Sequence, residues 1–431
     1  MLFGEDFRTT SFWRDDVAAP AGEGAGLPGR ADVLVVGGGY TGMSAALELA
    51  RGGREVVVVD GNEAGWGCSS RNGGQVSEGV KPDYAKLARS YGGTRAREII
   101  LESERALFGL CDFIETENID CDFRRCGRFH GAHTRKAFER LAREVEQRNR
   151  LAGRANGAYM VGRAEQSAEI GTQAYYGGAV FPEHASVHPA KLLHGIEVLA
   201  RGAGANVVPR CAAETIERES GGFCVKTQKG EIACRNIVLA TNGYTGKLSP
   251  WHRRRIIPVG SYIIATEPLD PGIIERALPK DRVFSDTRKI VYYYRASPDR
   301  RRMLFGGRVS CNETDPRVSA PLLHAEMSRL FPELKSARVS HSWCGFVAFT
   351  FDRLMHAGCF DGIHYAAGYC GSGIALSVRL GTHVARQILG KPVDSTVFGE
   401  IPFPTAPFYT GNPWWLSGVL VWYKCRDTFP W

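Results

Sequence analysis

The chain has 431 residues, 44% of them hydrophobic and 23% charged, and a net charge of +8. That length exceeds one ordinary core and predicts two or three lobes, with the composition of a soluble globular protein. No run approaches the roughly eighteen apolar residues a membrane span requires, and MLFGEDFRTTSFWRDD (1–16) lacks a basic-then-apolar signal pattern, so a cytoplasmic protein is expected. The twelve cysteines are scattered and are expected as reduced thiols. CDFRRC (121–126) lacks zinc spacing and no matching Cys/His pair follows, so no metal site is expected. The basic runs HRRR (252–255) and RRR (300–302) read as solvated faces rather than nucleic-acid contacts.

Residues 1–30 end in APAGEGAGLPG (19–29) and read as a flexible N-terminal arm. Next, ADVLVVGGGYTGMSAALELARGGREVVVVD (31–60) is a strand, a helix with a glycine stop, and a second buried strand. This βαβ unit implies a buried parallel sheet. Residues 83–155 read as helices, notably 137–152, and 188–205 as one more amphipathic helix. Short strands follow to residue 243, and 256–350 is strand-rich. GIHYAAG (362–368) is a strand, and SGIALSVRLGTHVARQILGK (372–391) a helix. That last strand and helix complete the first sheet, so the nucleotide-binding domain is discontinuous. The expected fold is α/β, α+β overall. A Rossmann-like domain (31–85, 185–250 and 341–391) joins a β-rich substrate domain (86–184 and 251–340), with a C-terminal extension at 392–431.

GGGYTG (37–42) sets Gly37, Gly39 and Gly42 in GxGxxG register between a strand and a helix, with Tyr40 and Thr41 opening the helix. Gly37 permits the tight turn, Gly39 lets backbone amides approach a pyrophosphate, and Gly42 lets the helix pack closely on the sheet. Asp60, about twenty residues on and followed by Gly61, is placed to accept from an adenosine ribose. The motif fixes a dinucleotide without saying which. GWGCSSRNGGQ (65–75) then follows the core strand with almost nothing to bury. It is either a surface loop or backbone laid against a large polar ligand. A flavin dinucleotide, buried full length, needs such a segment. Ser69 and Ser70 can donate to phosphate, Arg71, Asn72 and Gln75 can reach the ring's polar edge, and Gly73 and Gly74 let backbone pass beside the ring.

GGGYTG, GWGCSSRNGGQ and GYCGSGIALS (368–377) together resemble the flavin-dependent amine and amino-acid oxidases of the D-amino-acid oxidase/sarcosine oxidase superfamily. RNGGQ, SWCGFVAFTFDRLMHAG (342–358) and an aromatic C-terminal extension with YKCRD are similar to its γ-glutamylputrescine oxidase branch. The resemblance covers essentially the whole chain and implies FAD and amine-type oxidation. It implies that IVLATNGY (237–244) closes over the adenosine half through Ala240, Thr241, Asn242 and Gly243, and that Ala213 meets adenine. Gly371, Ser372, Gly373 and Ile374 would start a helix whose N-terminal dipole faces the flavin. Two departures matter. Where sarcosine oxidases carry the cysteine that attaches FAD, this chain has Val347, with Cys344 three residues earlier, so FAD is expected to be non-covalent. RRRMLFGGRVS (300–310) lacks the lysine those oxidases use towards oxygen, which leaves O2 open as the acceptor against a quinone or redox partner protein.

Substrate residues are expected in the β-rich insert. If YYYR (292–295) alternates, one or two of its tyrosines face the pocket, Tyr293 among them. Arg308 follows two glycines and suits a carboxylate, and His356 is a third candidate. The expected substrate is a small amine or amino acid, such as a γ-glutamyl-amine or an N-alkyl amino acid. The alternatives are a dehydrogenase with the same flavin chemistry and a flavin-bearing subunit inactive alone. Trp414, Trp415, Leu416, Val419, Leu420 and Trp422 form an apolar stripe at helical spacing, expected to pack back on the protein. Oligomeric state is open.

Overall fold

The computed structural model describes residues 2–17, 26–153, 157–308, 314–391 and 395–428. A parallel sheet runs in the spatial order Ile363–Ala367, Gly230–Leu239, Arg30–Val36, Val56–Val59 and Asn206–Val208. Both faces of VLVV and VVVV are covered, which is why these strands are unbroken apolar runs. Val33, Val35, Val56 and Val58 pack beneath helices Tyr40–Arg51, Pro189–Gly202 and Gly373–Ile388. Leu34, Val36, Val57 and Val59 meet Phe223, Val225 and Ile232 of an antiparallel meander on the other side. The late strand Ile363–Ala367 pairs with Gly230–Leu239, so this sheet is indeed assembled from distant parts of the chain.

A second sheet of nine strands carries the β-rich insert. Its central strands are Ile257–Thr266, Met303–Gly307, Tyr293–Ala296, Val283–Asp286 and Arg128–Gly131. On one face Phe284, Tyr294 and Phe305 stack in a row, with ring centroids 5.4 and 5.5 Å apart, in the same apolar cluster as residues of helix Pro316–Leu330. The other face looks towards the parallel sheet. Strand alternation therefore sends Tyr292 and Tyr294 to the apolar side and Tyr293 to the open side, one of three.

Four differences from the sequence expectation have clear physical causes. Within the expected flexible arm, Phe3–Arg8 is an edge strand paired in parallel with Val339–Phe349, and Trp13 is fully buried beside Ile263 and Trp343; part of the glycine-rich piece lies outside the described residues. Helix Gly93–Thr116 packs with the helices of the parallel sheet, because its apolar stripe (Ile99, Leu107, Leu110 and Ile114) joins that core. Strand Val339–Phe349, placed by the sequence mostly in the first domain, belongs to the second sheet. In the C-terminal helix Leu416–Thr428 the expected stripe divides: Trp415 rests on Tyr409, while Trp414 and Trp422 are exposed.

Candidate active site

A single cavity of about 1230 Å³ runs from the start of helix Tyr40–Arg51 to the open face of the second sheet. At its first end the three motif glycines each have a steric reason. Gly37 has φ +109°, and a Cβ there would stand 2.8 Å from the Ala240 carbonyl oxygen. A Cβ on Gly39 would meet Ser69 Oγ at 2.8 Å, and one on Gly42 would overlap the Gly37 carbonyl oxygen. Asp60 accepts from the backbone N–H of Gly38 (2.8 Å) and of Asn62 (2.9 Å). Burial raises its pKa, partly offset by those donors. Gly61, Ala213, Ala240, Thr241 and Asn242 line the same end. Gly42 and Gly243 lie behind the wall instead, the latter against Phe346.

The 65–75 segment is pinned through its carbonyls by residues far away in sequence. Ser11 donates to the Ser70 carbonyl (2.9 Å), Trp343 to that of Arg71 (2.9 Å), and Trp13 to that of Asn72 (2.8 Å). Buried Arg295 donates to the carbonyls of Gly74 (3.1 Å) and Val187 (2.9 Å). Such bonds fix the backbone of a segment whose one large apolar side chain is Trp66, packed on Tyr244. Several sequence expectations are corrected here. The Ser70 hydroxyl is buried and donates to the Gly65 carbonyl, so it does not face the cavity. Ser69 does, and accepts from the Tyr40 N–H (3.0 Å). Asn72 and Gln75 do line the cavity, while their amide N–H groups donate to backbone carbonyls, of Cys68 and Ser69 and of Phe284 and Tyr294 respectively. Gly74 (φ +65°) packs on Val187 behind the wall, whereas Arg71 and Gly73 line it.

At the second end, Tyr293 donates to or accepts from Ser261 at 2.9 Å, its ring lying against Gly73 and Gly306. A Cβ on Gly306 would collide with that ring, so this glycine makes room for Tyr293, while Gly307 makes room for Tyr292 on the opposite face. Burial pushes the Tyr293 hydroxyl up to about 12. Arg308 lines the same wall and lies over the Phe349 ring, 4.7 Å from its centroid. Gly371 (φ +89°), Ser372, Gly373 and Ile374 close the opposite wall at the N-terminus of helix Gly373–Ile388. Val347 stands there too. Cys344 is buried off the wall; the thiols on it are Cys68 and Cys370, pushed up by burial to about 12 and about 11. His356 is corrected outright. It is buried away from the cavity, bonded to Asp352 and stacked on Phe403 at 4.2 Å.

Comparison with known proteins fixes the family. The profile described as DAO, FAD dependent oxidoreductase, matches residues 32–387. The chain belongs to this family of FAD-dependent oxidoreductases. It is 31% identical over 412 residues to a probable oxidoreductase OrdL of Rhizobium meliloti, covering 94% of each chain. It is 30% identical over 403 residues to the γ-glutamylputrescine oxidoreductase of Escherichia coli, covering 92% of each. The fold is that of glycine oxidase from Geobacillus kaustophilus, with a TM-score of 0.68 at 23% identity over 88% of this chain and 99% of that one. The residues present fit FAD. The turn at Gly37, Gly39 and Gly42 would cradle the pyrophosphate, Asp60 follows the second strand, and the cavity continues past Ser69 to the glycine wall at 371–373.

Five residues of the site escaped the sequence reading. Arg128 and His130 stand on one face of a strand that sequence placed among helices, and Lys81 enters from the loop after Val76. The RFHG alternation is a signal that could have found the first two. Arg295 and Trp13 carry no local signal, because their partners lie 221 and 59 residues away.

Proposed function

We propose that the protein oxidises a C–N bond of an amine or amino acid that carries a carboxylate, a γ-glutamyl-amine or an N-alkyl amino acid. The observation behind this reading is Tyr293 and Arg308 on a sheet face that shares one cavity with the FAD cradle. When bound, non-covalently, FAD supplies the acceptor for a hydride from the carbon next to nitrogen. Water then hydrolyses the substrate-derived imine to a carbonyl compound and an amine or ammonia. Arg308 takes the substrate carboxylate, and Tyr293, held by Ser261, fixes the angle at which the C–H bond is presented. Cys68 and Cys370 stay protonated at neutral pH, which supports a cofactor without a thioether link. The proposed electron acceptor is O2, and the similarity to the E. coli and R. meliloti proteins supports the oxidoreductase class.

The test is a panel of amines and amino acids mixed anaerobically with the FAD-loaded enzyme, following the visible flavin absorbance. At least one carboxylate-bearing amine should bleach it, and admitted air should restore it. Bleaching without recovery in air but with recovery on adding a quinone identifies a dehydrogenase. No bleaching by any amine overturns the proposal.

A further inference from the structure

Ten lysines and arginines but only five acids line the cavity. Each of those acids is already engaged. Glu78 pairs with Arg148 and with His184 (3.2 Å), Asp83 with Lys86 (2.6 Å), Asp286 with Arg288, and Glu144 with Arg140 (3.5 Å). Asp60 is bound to backbone at the far end. Lys81 and Arg128, at the sheet end, are among the lining cations with no such counterpart. Among the described residues no carboxylate lies within ion-pair distance of Lys81 or Arg128, and Arg128 Nε is buried without a hydrogen-bond partner.

Lys81 lines the cavity and its side chain is exposed there. Its Nζ stands 3.8 Å from where a Cβ on Gly371 would be, beside the positive end of helix Gly373–Ile388. Burial pulls its pKa down to about 8, with Arg308 the next cause and Arg128 a smaller one. Arg128 is likewise lowered by burial, to about 10, and then by Arg148. His130, with Nδ1 bonded to Ser285 (2.8 Å), is held well below its ordinary value by burial and by Arg128 and Lys81, and stays neutral. Like charges gathered on one cavity wall attract an anionic ligand to that wall.

We propose that Lys81 and Arg128 form a second carboxylate subsite next to Arg308, so that the substrate is an amine bearing two carboxylates. This rests on the amine-oxidising function proposed above and narrows its substrate to a secondary-amine dicarboxylate, such as an N-(carboxyalkyl) amino acid. A substrate ending in an ammonium group would bring a third cation to the pair.

Diglycolate, an ether dicarboxylate with no nitrogen to oxidise, and methoxyacetate, its one-carboxylate counterpart, separate the two ideas. Their binding to the FAD-loaded enzyme is read from the perturbed flavin spectrum, without turnover. Diglycolate should bind about tenfold or more tighter, the size of one charge-assisted contact. Lys81→Met should erase that preference while leaving methoxyacetate affinity and FAD content unchanged, and Lys81→Arg should restore it. The preference should also fade as pH rises through about 8. The facing groups Arg308, Arg128, neutral His130 and the protonated Cys370 thiol do not change charge in that step. Equal affinities in the parent enzyme, or equal weakening of both ligands by Lys81→Met, overturn the dicarboxylate subsite. The amine-oxidising function falls separately, when no amine bleaches the flavin.

Discussion

The two ends of the cavity are built on opposite principles. At the end proposed for the nucleotide, backbone would do the recognition. Gly37, Gly39 and Gly42 lie within six residues of one another, and Asp60 fixes the Gly38 amide from the neighbouring strand. At the sheet end, side chains do it, and they arrive from segments around residues 81, 128, 293 and 308. A backbone cradle fails when anything is added to it. A side-chain pocket fails as well when something is taken away.

Gly39→Val tests the first statement and should have the largest effect. The Cβ alone would stand 2.8 Å from Ser69 Oγ, and a branched side chain would crowd the turn where the pyrophosphate is proposed to lie. FAD content after purification should drop to background while far-ultraviolet circular dichroism keeps the helical signal. Normal FAD content would mean that the cradle tolerates added atoms and that the contrast is wrong.

Arg295→Met tests the support beneath the cradle. The variant removes two donors from the carbonyls of Gly74 and Val187 and keeps roughly the same volume. Losing buried, charge-assisted bonds of this kind should cost about 2–4 kcal/mol of stability. FAD affinity should fall with it, since the 65–75 segment is what Arg295 steadies. Melting temperature with and without added FAD separates the two losses. An unchanged FAD dissociation constant would assign Arg295 to the sheet alone.

Arg308→Lys should act on the other end only. The charge stays and the two-pronged geometry goes, so substrate binding should weaken by about 1–3 kcal/mol. FAD content and melting temperature should hold. The measurement is half-saturation for anaerobic flavin reduction by whichever amine reacts, parent against variant. If every reacting amine keeps its half-saturation, Arg308 is not the anchor.

The same contrast explains what could be seen in the sequence. The parallel sheet and its glycine turn were legible because strand, turn, helix and acid follow one another along the chain, and each leaves a composition signature. The late strand Ile363–Ala367 was legible by elimination, since a terminal strand and helix must rejoin the first sheet. The roles of Trp13, Arg295, Lys81 and Arg128 were not, because each depends on a partner brought close only by the fold. Ser70 was misjudged for a local reason: in a tight turn its hydroxyl reaches the Gly65 carbonyl before it can reach a ligand. Helix Gly93–Thr116 showed its apolar stripe plainly, but the stripe does not say which core it joins.

His356 supplies the smallest predicted effect and the sharpest control. Sequence offered it, in RLMHAG (353–358), as a candidate for the substrate site. The structure turns it inward, with Nε2 bonded to Asp352 and the ring lying 4.2 Å from that of Phe403. Asp352 also accepts from the Tyr91 hydroxyl (3.2 Å), so His356 belongs to a small polar knot behind the cavity. His356→Gln keeps a polar group near Asp352 and loses the ring stacking, which should cost about 1 kcal/mol of stability. Half-saturation and the rate of anaerobic flavin reduction should stay within about twofold of the parent, because nothing on the cavity wall moves and a tenfold change needs about 1.4 kcal/mol. A larger kinetic change without a matching fall in melting temperature would show that the knot transmits to the wall. Function at the sheet end would then extend beyond the residues that touch the cavity.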